Sequence, residues 1–289
     1  MPQWNCACPN CRAARAGRIP ARTQSGVAVS ADGVRWFLIN ASPDLRAQIE
    51  SFAPLQPQSE ALRYSPIEAV LLTNADLDHV LGLTLLREGG PLCVRATAAV
   101  CETLSRALRL DALLSVFCGV TWHEPAREFS PLALRDGSQS GLSCRAIFLP
   151  GAPPLFVRKE IFDKEGHSIA WQIADEQTGA RLLIAPNVAE VTVELEQALN
   201  ESHAVLFDGT FWSGDEMRCV NPEARTADQM GHLPIWGGSL SMLRDVPARH
   251  RIYIHINNTN PILAPGSRER AQVESAGVVV GEDGMELEL

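Results

Sequence analysis

The chain has no apolar run approaching the length of about 18 residues that a membrane-spanning helix needs. Its opening, Met1-Pro2-Gln3-Trp4-Asn5, lacks both the basic start and the apolar core of a secretory signal. A soluble, cytoplasmic protein with no membrane partner is expected. Positive charge is also short, with 25 Lys and Arg against 34 Asp and Glu and a formal charge of -9. A surface that neutralises phosphates needs the opposite balance, so no nucleic-acid partner is expected. Eight cysteines in 289 residues do not make a disulfide scaffold. There is no internal repeat, low-complexity tract or linker, so one domain spanning residues 1–289 is expected.

Short apolar, β-branched runs recur at Val27 to Val29, Trp36 to Ile39, Ala69 to Leu72, Leu92 to Val94, Ala204 to Phe207 and Arg251 to His255. Each has the length of a strand. Between them, Asp44 to Ser51, His79 to Arg87, Ala98 to Leu108 and Val191 to Asn200 read as helices. Strands alternating with helices predict an α/β layered fold. Cys118 to Arg158 has the weakest periodicity and several Pro and Gly residues, and is expected to be loop-rich. Trp36, Trp171 and Phe207 read as core rather than as stacking surfaces.

Three strand ends deliver chemistry. Val70-Leu71-Leu72-Thr73 runs into Asn74-Ala75-Asp76-Leu77-Asp78-His79, so carboxylates and an imidazole gather where a strand hands over to a helix. Asp78 and His79 can both reach one cation from a tight turn, and a carboxylate with a neutral imidazole suits a first-row divalent metal. Arg251-Ile252-Tyr253-Ile254-His255 ends in a polar turn, and Val205-Leu206-Phe207-Asp208 ends before Gly209. Each piece has a plainer reading. An Asp-His pair at a strand end is often a helix cap beside a surface imidazole, and an Asp before Gly is by default a turn residue. Spacing alone does not show that the three ends converge.

Cys6, Cys8 and Cys11 place three thiols within six residues, which fits three corners of a tetrahedral structural zinc and leaves the fourth ligand open. Reduced thiols or a transient disulfide are the alternatives. Cys93, Cys101, Cys118, Cys144 and Cys219 are dispersed and read as ordinary thiols. His123, His167, His203 and His250 have no supporting context.

Thr73-Asn74-Ala75-Asp76-Leu77-Asp78-His79 followed by Gly82 resembles the metallo-β-lactamase signature T-H-x-H-x-D-H, with Asn74 and Asp76 in place of its first two His. Asp208 falls where that superfamily has its metal-bridging Asp, and His255 where it has its last His. Longer strings resemble the B-protein family of pyrroloquinoline quinone (PQQ) biosynthesis: Pro2-Gln3-Trp4-Asn5-Cys6, Arg22-Thr23-Gln24-Ser25, Asn40-Ala41-Ser42-Pro43-Asp44-Leu45-Arg46, Asp208-Gly209-Thr210-Phe211-Trp212, Asp215-Glu216-Met217, Met230-Gly231-His232-Leu233-Pro234, His255-Ile256-Asn257-Asn258-Thr259-Asn260-Pro261 and Asp283-Gly284-Met285.

The resemblance implies a metallo-β-lactamase-like αββα sandwich with Asp78, His79 and His255 holding Fe(II), or Zn as isolated. It implies His232 as an acid/base or substrate contact, and Asp76 and Asp208 as further ligands or as groups that orient the imidazoles. The reaction it implies is Fe(II)- and O2-dependent hydroxylation of the tyrosine ring in the cross-linked Glu-Tyr intermediate from a precursor peptide. A non-enzymatic carrier of PQQ and a zinc hydrolase are the rival readings, and a homodimer is compatible with the resemblance. Related phosphodiesterases close a similar Cys cluster with a His where this chain has Asn258, so an Asn, a water or a carboxylate is left as the fourth ligand. Family members open with a strand before the Pro-Gln-Trp-Asn-Cys string, which implies an edge strand missing here.

Overall fold

The computed structural model describes residues 1–58, 62–157 and 165–289. Two units emerge, one made of Gln24–Gly179 and the other of Met1–Thr23 with Ala180–Leu289. Helix α1 (Pro9–Arg15) belongs to the latter and begins on Cys8, whose sulfur accepts from the Cys11 N–H.

In the unit of residues 24–179, a five-stranded sheet has the order β1-β2-β3-β4-β5, formed by Val27–Val29, Trp36–Ile39, Ile67–Leu71, Leu92–Arg95 and Val120–His123. Strand β1 runs antiparallel to β2, and β2 to β5 are mutually parallel. Parallel strands need crossovers. These are supplied by α2 (Leu45–Ser51), α3 (Leu77–Val80), α4 (Ala98–Arg106) and α5 (Leu110–Ser115). Leu38, Val70, Leu72, Val94, Val100 and Leu104 form the centre of one apolar cluster. Each such side chain contributes about 1.5–3 kcal/mol when taken out of water.

The expected helix at His79 to Arg87 is instead α3 followed by a 3-10 segment, Leu81–Glu88. The reason is local. Gly82 is pressed against Ala41 and Ser42, with its N–H bonded to the Ala41 carbonyl, and an added Cβ would stand 2.3 Å from the Ser42 oxygen.

The segment Cys118 to Arg158, expected to be loop-rich, is divided between loops and three strands. It carries β5, β6 (Ser130–Ala133) and the eleven-residue β7 (Gln139–Leu149), which pairs antiparallel with β6 and with β8 (Ser168–Asp175). Its turn residues punctuate a hairpin: Asp136-Gly137 forms the turn, with Gly137 at φ +83° and Asp136 accepting from the Ser138 N–H and hydroxyl. Residues 124–129, 134–138 and 150–157 stay outside the strands, and Arg158 lies outside the described residues.

The other unit carries four parallel strands in the order β12-β11-β10-β9, namely Val279–Val280, His250–Ile254, Ala204–Asp208 and Arg181–Ala185. Every residue of β10 is buried, as its unbroken apolar run predicts for a parallel strand covered on both faces. Helices α6 (Val193–Glu201), α7 (Leu240–Asp245) and α8 (Arg268–Ser275) connect the strands. Among the described residues no helix is long and apolar enough to cross a membrane.

Candidate metal centre

Parallel strands point their C-terminal ends the same way, and loops at those ends carry the chemistry. In the unit of residues 24–179, β3 leads through Leu72-Thr73-Asn74 to α3, with Asp76 as the helix N-cap residue. His79 is fully buried. Its Nδ1 lies 2.7 Å from Asn74 Oδ1 and 3.3 Å from Thr73 Oγ1. The Asn74 amide is fixed by its neighbours: Oδ1 also accepts from the Asp76 N–H at 3.1 Å, and Nδ2 donates to Asp76 Oδ2 at 2.9 Å. An amide oxygen accepts only, so His79 carries its proton on Nδ1 and its lone pair on Nε2, the form that ligates a metal. Asn74 and Asp76, which replace the signature's first two His, are thus bonded to each other, and Asn74 to His79. Asp78 is partly buried beside His79.

In the other unit, the register pairs Asp208 with Ile254, so His255 follows immediately beyond the end of β11. The sequence reading put His255 inside the strand. The structure ends the strand one residue earlier because His255 adopts φ +55°, a left-handed conformation unusual for a non-glycine residue. The ligand atoms of Asp208, His232 and His255 lie within 4.8 Å of one another. The rings of His232 and His255 stack with centroids 5.6 Å apart.

Asp208 is fully buried and accepts from four donors. Oδ1 takes the Thr210 N–H at 3.0 Å and the Thr210 hydroxyl at 2.7 Å, while Oδ2 takes the Val188 N–H at 2.9 Å and His232 Nδ1 at 2.7 Å. Four donors fill the lone-pair sites of a carboxylate. Of its two expected roles, the geometry favours orientation of imidazoles over direct ligation. Burial alone would raise the Asp208 pKa, but the imidazole of His232, the hydrogen bond from it, the imidazole of His255 and Thr210 together hold it below the ordinary carboxylate value.

Thr210 links this carboxylate to His255. Its oxygen is 2.8 Å from His255 Nδ1 and 2.8 Å from the His255 carbonyl oxygen, and its single proton goes to the nearer, charged acceptor, Asp208 Oδ1. With that proton directed to Asp208, the Thr210 oxygen is the acceptor for His255 Nδ1–H, and the ring's lone pair is then on Nε2. Thr210 and Asn74 are the functional residues missed in the sequence. A Thr two residues after Asp208 and an Asn within a His-rich signature carry no signal by themselves, since what matters is the acceptor each presents to a ring.

The cysteine cluster sits in the same unit as Asp208. The sulfurs of Cys6, Cys8 and Cys11 lie within 4.8 Å of one another. Backbone N–H groups of Cys8, Cys11 and Gln3 donate to Cys6, Cys8 and Cys11 at 3.4, 3.5 and 3.3 Å. Burial opposes ionisation of Cys8, but the Cys11 N–H and the Asn258 side chain lower its pKa overall, whereas burial raises that of Cys11. The amide Nδ2 of Asn258 donates to all three sulfurs, at 3.4 Å to Cys6, 3.6 Å to Cys8 and 3.4 Å to Cys11. A tetrahedral zinc with Zn–S of about 2.3 Å and Zn–O of about 2.0 Å places its oxygen about 3.5 Å from each sulfur. The three thiols fit a zinc, and Asn258 fits the fourth corner with its amide turned to present Oδ1 where Nδ2 now stands.

Comparison with known proteins agrees with this architecture. The β-lactamase superfamily domain is matched over residues 35–256. Along its full length the chain is 42% identical to coenzyme PQQ synthesis protein B of Methylobacterium nodulans, covering 96% of that protein. It is 43% identical to that of Rhizobium meliloti, covering 94%. Among solved structures it is similar to Zn(2+)-bound PqqB from Methylobacterium extorquens, with a TM-score of 0.88, 39% identity and coverage of 100% of this chain and 95% of that one. A diphosphatase of the PhnP family gives a TM-score of 0.67 at 16% identity, covering 100% and 92%, a likeness of fold alone. The metallo-β-lactamase fold expected from the sequence is borne out.

Proposed function

The chain belongs to the coenzyme PQQ synthesis protein B family of the β-lactamase superfamily and serves PQQ biosynthesis, and from that premise we propose that it is a cytoplasmic, metal-dependent oxygenase. Its reaction is hydroxylation of the tyrosine ring in the cross-linked Glu-Tyr intermediate of the precursor peptide. Asp78, His79 and His255 would hold Fe(II) in place, and Cys6, Cys8, Cys11 and Asn258 a structural zinc.

The observation that carries this reading is that an acceptor oxygen faces Nδ1 of each of the two imidazoles. His79 and His255 each give Nδ1–H to a neutral oxygen, Asn74 Oδ1 at 2.7 Å and Thr210 Oγ1 at 2.8 Å. Both keep a lone pair on Nε2. With the carboxylate of Asp78 they make the two-His, one-carboxylate donor set that suits Fe(II) with positions left open. Iron bound there would supply O2 activation.

The remaining residues act around it. Asp208 and Thr210 fix the orientation of His232 and His255. His232, whose Nδ1 faces Asp208, is the group that exchanges a proton with the substrate at Nε2. Asn74 and Asp76 argue against the hydrolase reading: where a two-zinc site has His ligands, these side chains are bonded to each other, and Asn74 to His79.

One observation favours the carrier reading. Trp212 and Trp236 stack with centroids 5.6 Å apart, and Trp236 is 55% exposed, an aromatic face that a planar quinone can cover. The test is anaerobic reconstitution with Fe(II), then oxygen uptake with and without a cross-linked Glu-Tyr substrate, with Asp78→Ala as control. Substrate-dependent uptake lost in the variant supports the oxygenase. Tight PQQ binding with no uptake supports the carrier.

A further inference from the structure

The turn from His255 to Asn260 joins two places. It starts at the proposed iron ligand and passes Asn258 at the cysteine cluster. His255 holds a left-handed backbone conformation, φ +55°, which persists in a non-glycine residue only when its surroundings enforce it. Two asparagines outside both donor sets do the enforcing.

Asn10 lies between Cys8 and Cys11 and is 6% exposed. Its Nδ2 donates to the carbonyl of Asn258 at 3.0 Å and to that of Asn260 at 2.8 Å. Two carbonyls can only accept, so the orientation of this amide is settled. Asn260 is fully buried, and its Nδ2 donates to the carbonyls of Gly209 at 2.9 Å and Thr210 at 3.3 Å. The Asn257 N–H also donates to the Thr210 carbonyl, at 3.1 Å. Thr210 in turn receives His255 Nδ1. A continuous path of buried and partly buried hydrogen bonds thus runs from the cysteine helix to the imidazole of His255.

We infer that Asn10 is a positioning residue for His255: through the carbonyls of Asn258 and Asn260 it fastens the turn that sets the His255 backbone and ring. This rests on the reading of His255 as a metal ligand. On a merely structural role, Asn10 would stabilise the cysteine cluster and leave the second metal site unaffected.

The experiment compares wild type with Asn10→Ala, the isosteric Asn10→Asp and His255→Ala, each full length, stripped of metal and titrated anaerobically with Co(II). Thiolate ligands give strong charge-transfer absorption and a His-carboxylate site gives weak d–d bands, so the two loadings are read separately. Thermal melts confirm folding, and the aspartate variant serves if the alanine variant does not fold.

The expected result is wild-type loading of the thiolate site in both Asn10 variants, with half-loading of the second site needing about ten- to a hundredfold more Co(II) and altered d–d bands. Unchanged half-loading at the second site, with His255→Ala abolishing it, would overturn the inference alone. Parallel loss at both sites would also overturn it, leaving Asn10 as a structural residue of the cysteine cluster. Full second-site loading in His255→Ala would remove the ligand reading itself, and the inference with it.

Discussion

His232 donates its Nδ1 proton to the fully buried Asp208 across 2.7 Å. The carboxylate accepts three further hydrogen bonds, so an amide in its place would turn an NH2 group toward donors whichever way it faced. Asp208→Asn is expected to cost about 1–3 kcal/mol of stability. Because Thr210 and His232 lose their common anchor, second-site metal affinity should fall as well. Denaturant unfolding and a metal titration check both, and wild-type values in either would refute the orienting role.

Gly82 packs the turn that carries Asp78 and His79, the proposed metal ligands, against Ala41 and Ser42. A Cβ there would lie 2.3 Å from the Ser42 oxygen and 2.8 Å from the Ala41 carbonyl, backbone atoms that cannot swing aside. Gly82→Ala should cost at least about 1–3 kcal/mol and move the segment that ends in Asp78 and His79. The melting temperature reports the first effect and metal affinity the second. An unperturbed melt would mean that the Ala41-Ser42 backbone relaxes freely.

How far the sequence foretold this depends on the kind of signal. Strands β1 and β2 were read to the residue, because apolar runs bounded by turn residues depend on local composition. The hairpin at Asp136-Gly137 was not read, and its region was expected to be loop-rich, because β7 pairs on both edges and its burial alternates imperfectly. The donor residues Asp78, His79, His255 and the three cysteines were nameable from sequence, since side-chain chemistry is written there. Asn74, Thr210, Asn10 and Asn260 were not. Their importance lies in which atom faces which, and that is fixed by tertiary contacts between segments distant in sequence.

Glu216 gives a pH signature. Burial raises its pKa from the ordinary 4.5 to about 7, against hydrogen bonds from Thr259, the Trp212 N–H and Asn257. An acid whose folded pKa exceeds its unfolded value binds more protons folded than unfolded between the two, so stability falls as pH rises from about 4.5 to about 7. Glu216→Gln mimics the protonated form and should flatten that decline. Melting temperatures measured from pH 4 to pH 8 provide the check, and parallel curves for the two proteins would refute the shift.

On the proposed zinc assignment, Asn258 is the fourth ligand of the cysteine site. An amide oxygen is a weaker zinc ligand than an imidazole or a thiolate. Cys8→Ser should lose the zinc on dialysis, Asn258→Ala should retain it more weakly than wild type, and Asn258→His should hold it more tightly. Zinc content after graded chelator challenge ranks the four proteins. Full zinc retention in Cys8→Ser would sink the assignment, and equal retention in Asn258→Ala and wild type would remove Asn258 from the fourth corner.

Asn74 separates the one-metal reading from the hydrolase reading. If it were a degenerate relic of a two-zinc site, Asn74→His would restore a ligand and raise the metal stoichiometry of the centre. The structure argues the reverse. Asn74 Oδ1 accepts the Nδ1 proton of His79 at 2.7 Å and its amide is tied to Asp76, so replacing it frees His79 to change tautomer and turn. Removal of such a partner lowers metal affinity about ten- to a hundredfold. Asn74→Ala and Asn74→His should therefore both bind less metal at the centre than wild type, as measured by Co(II) titration. A gain of a second equivalent in Asn74→His would show instead that this edge of the sheet keeps the geometry of a two-zinc site, and would return the hydrolase reading to first place.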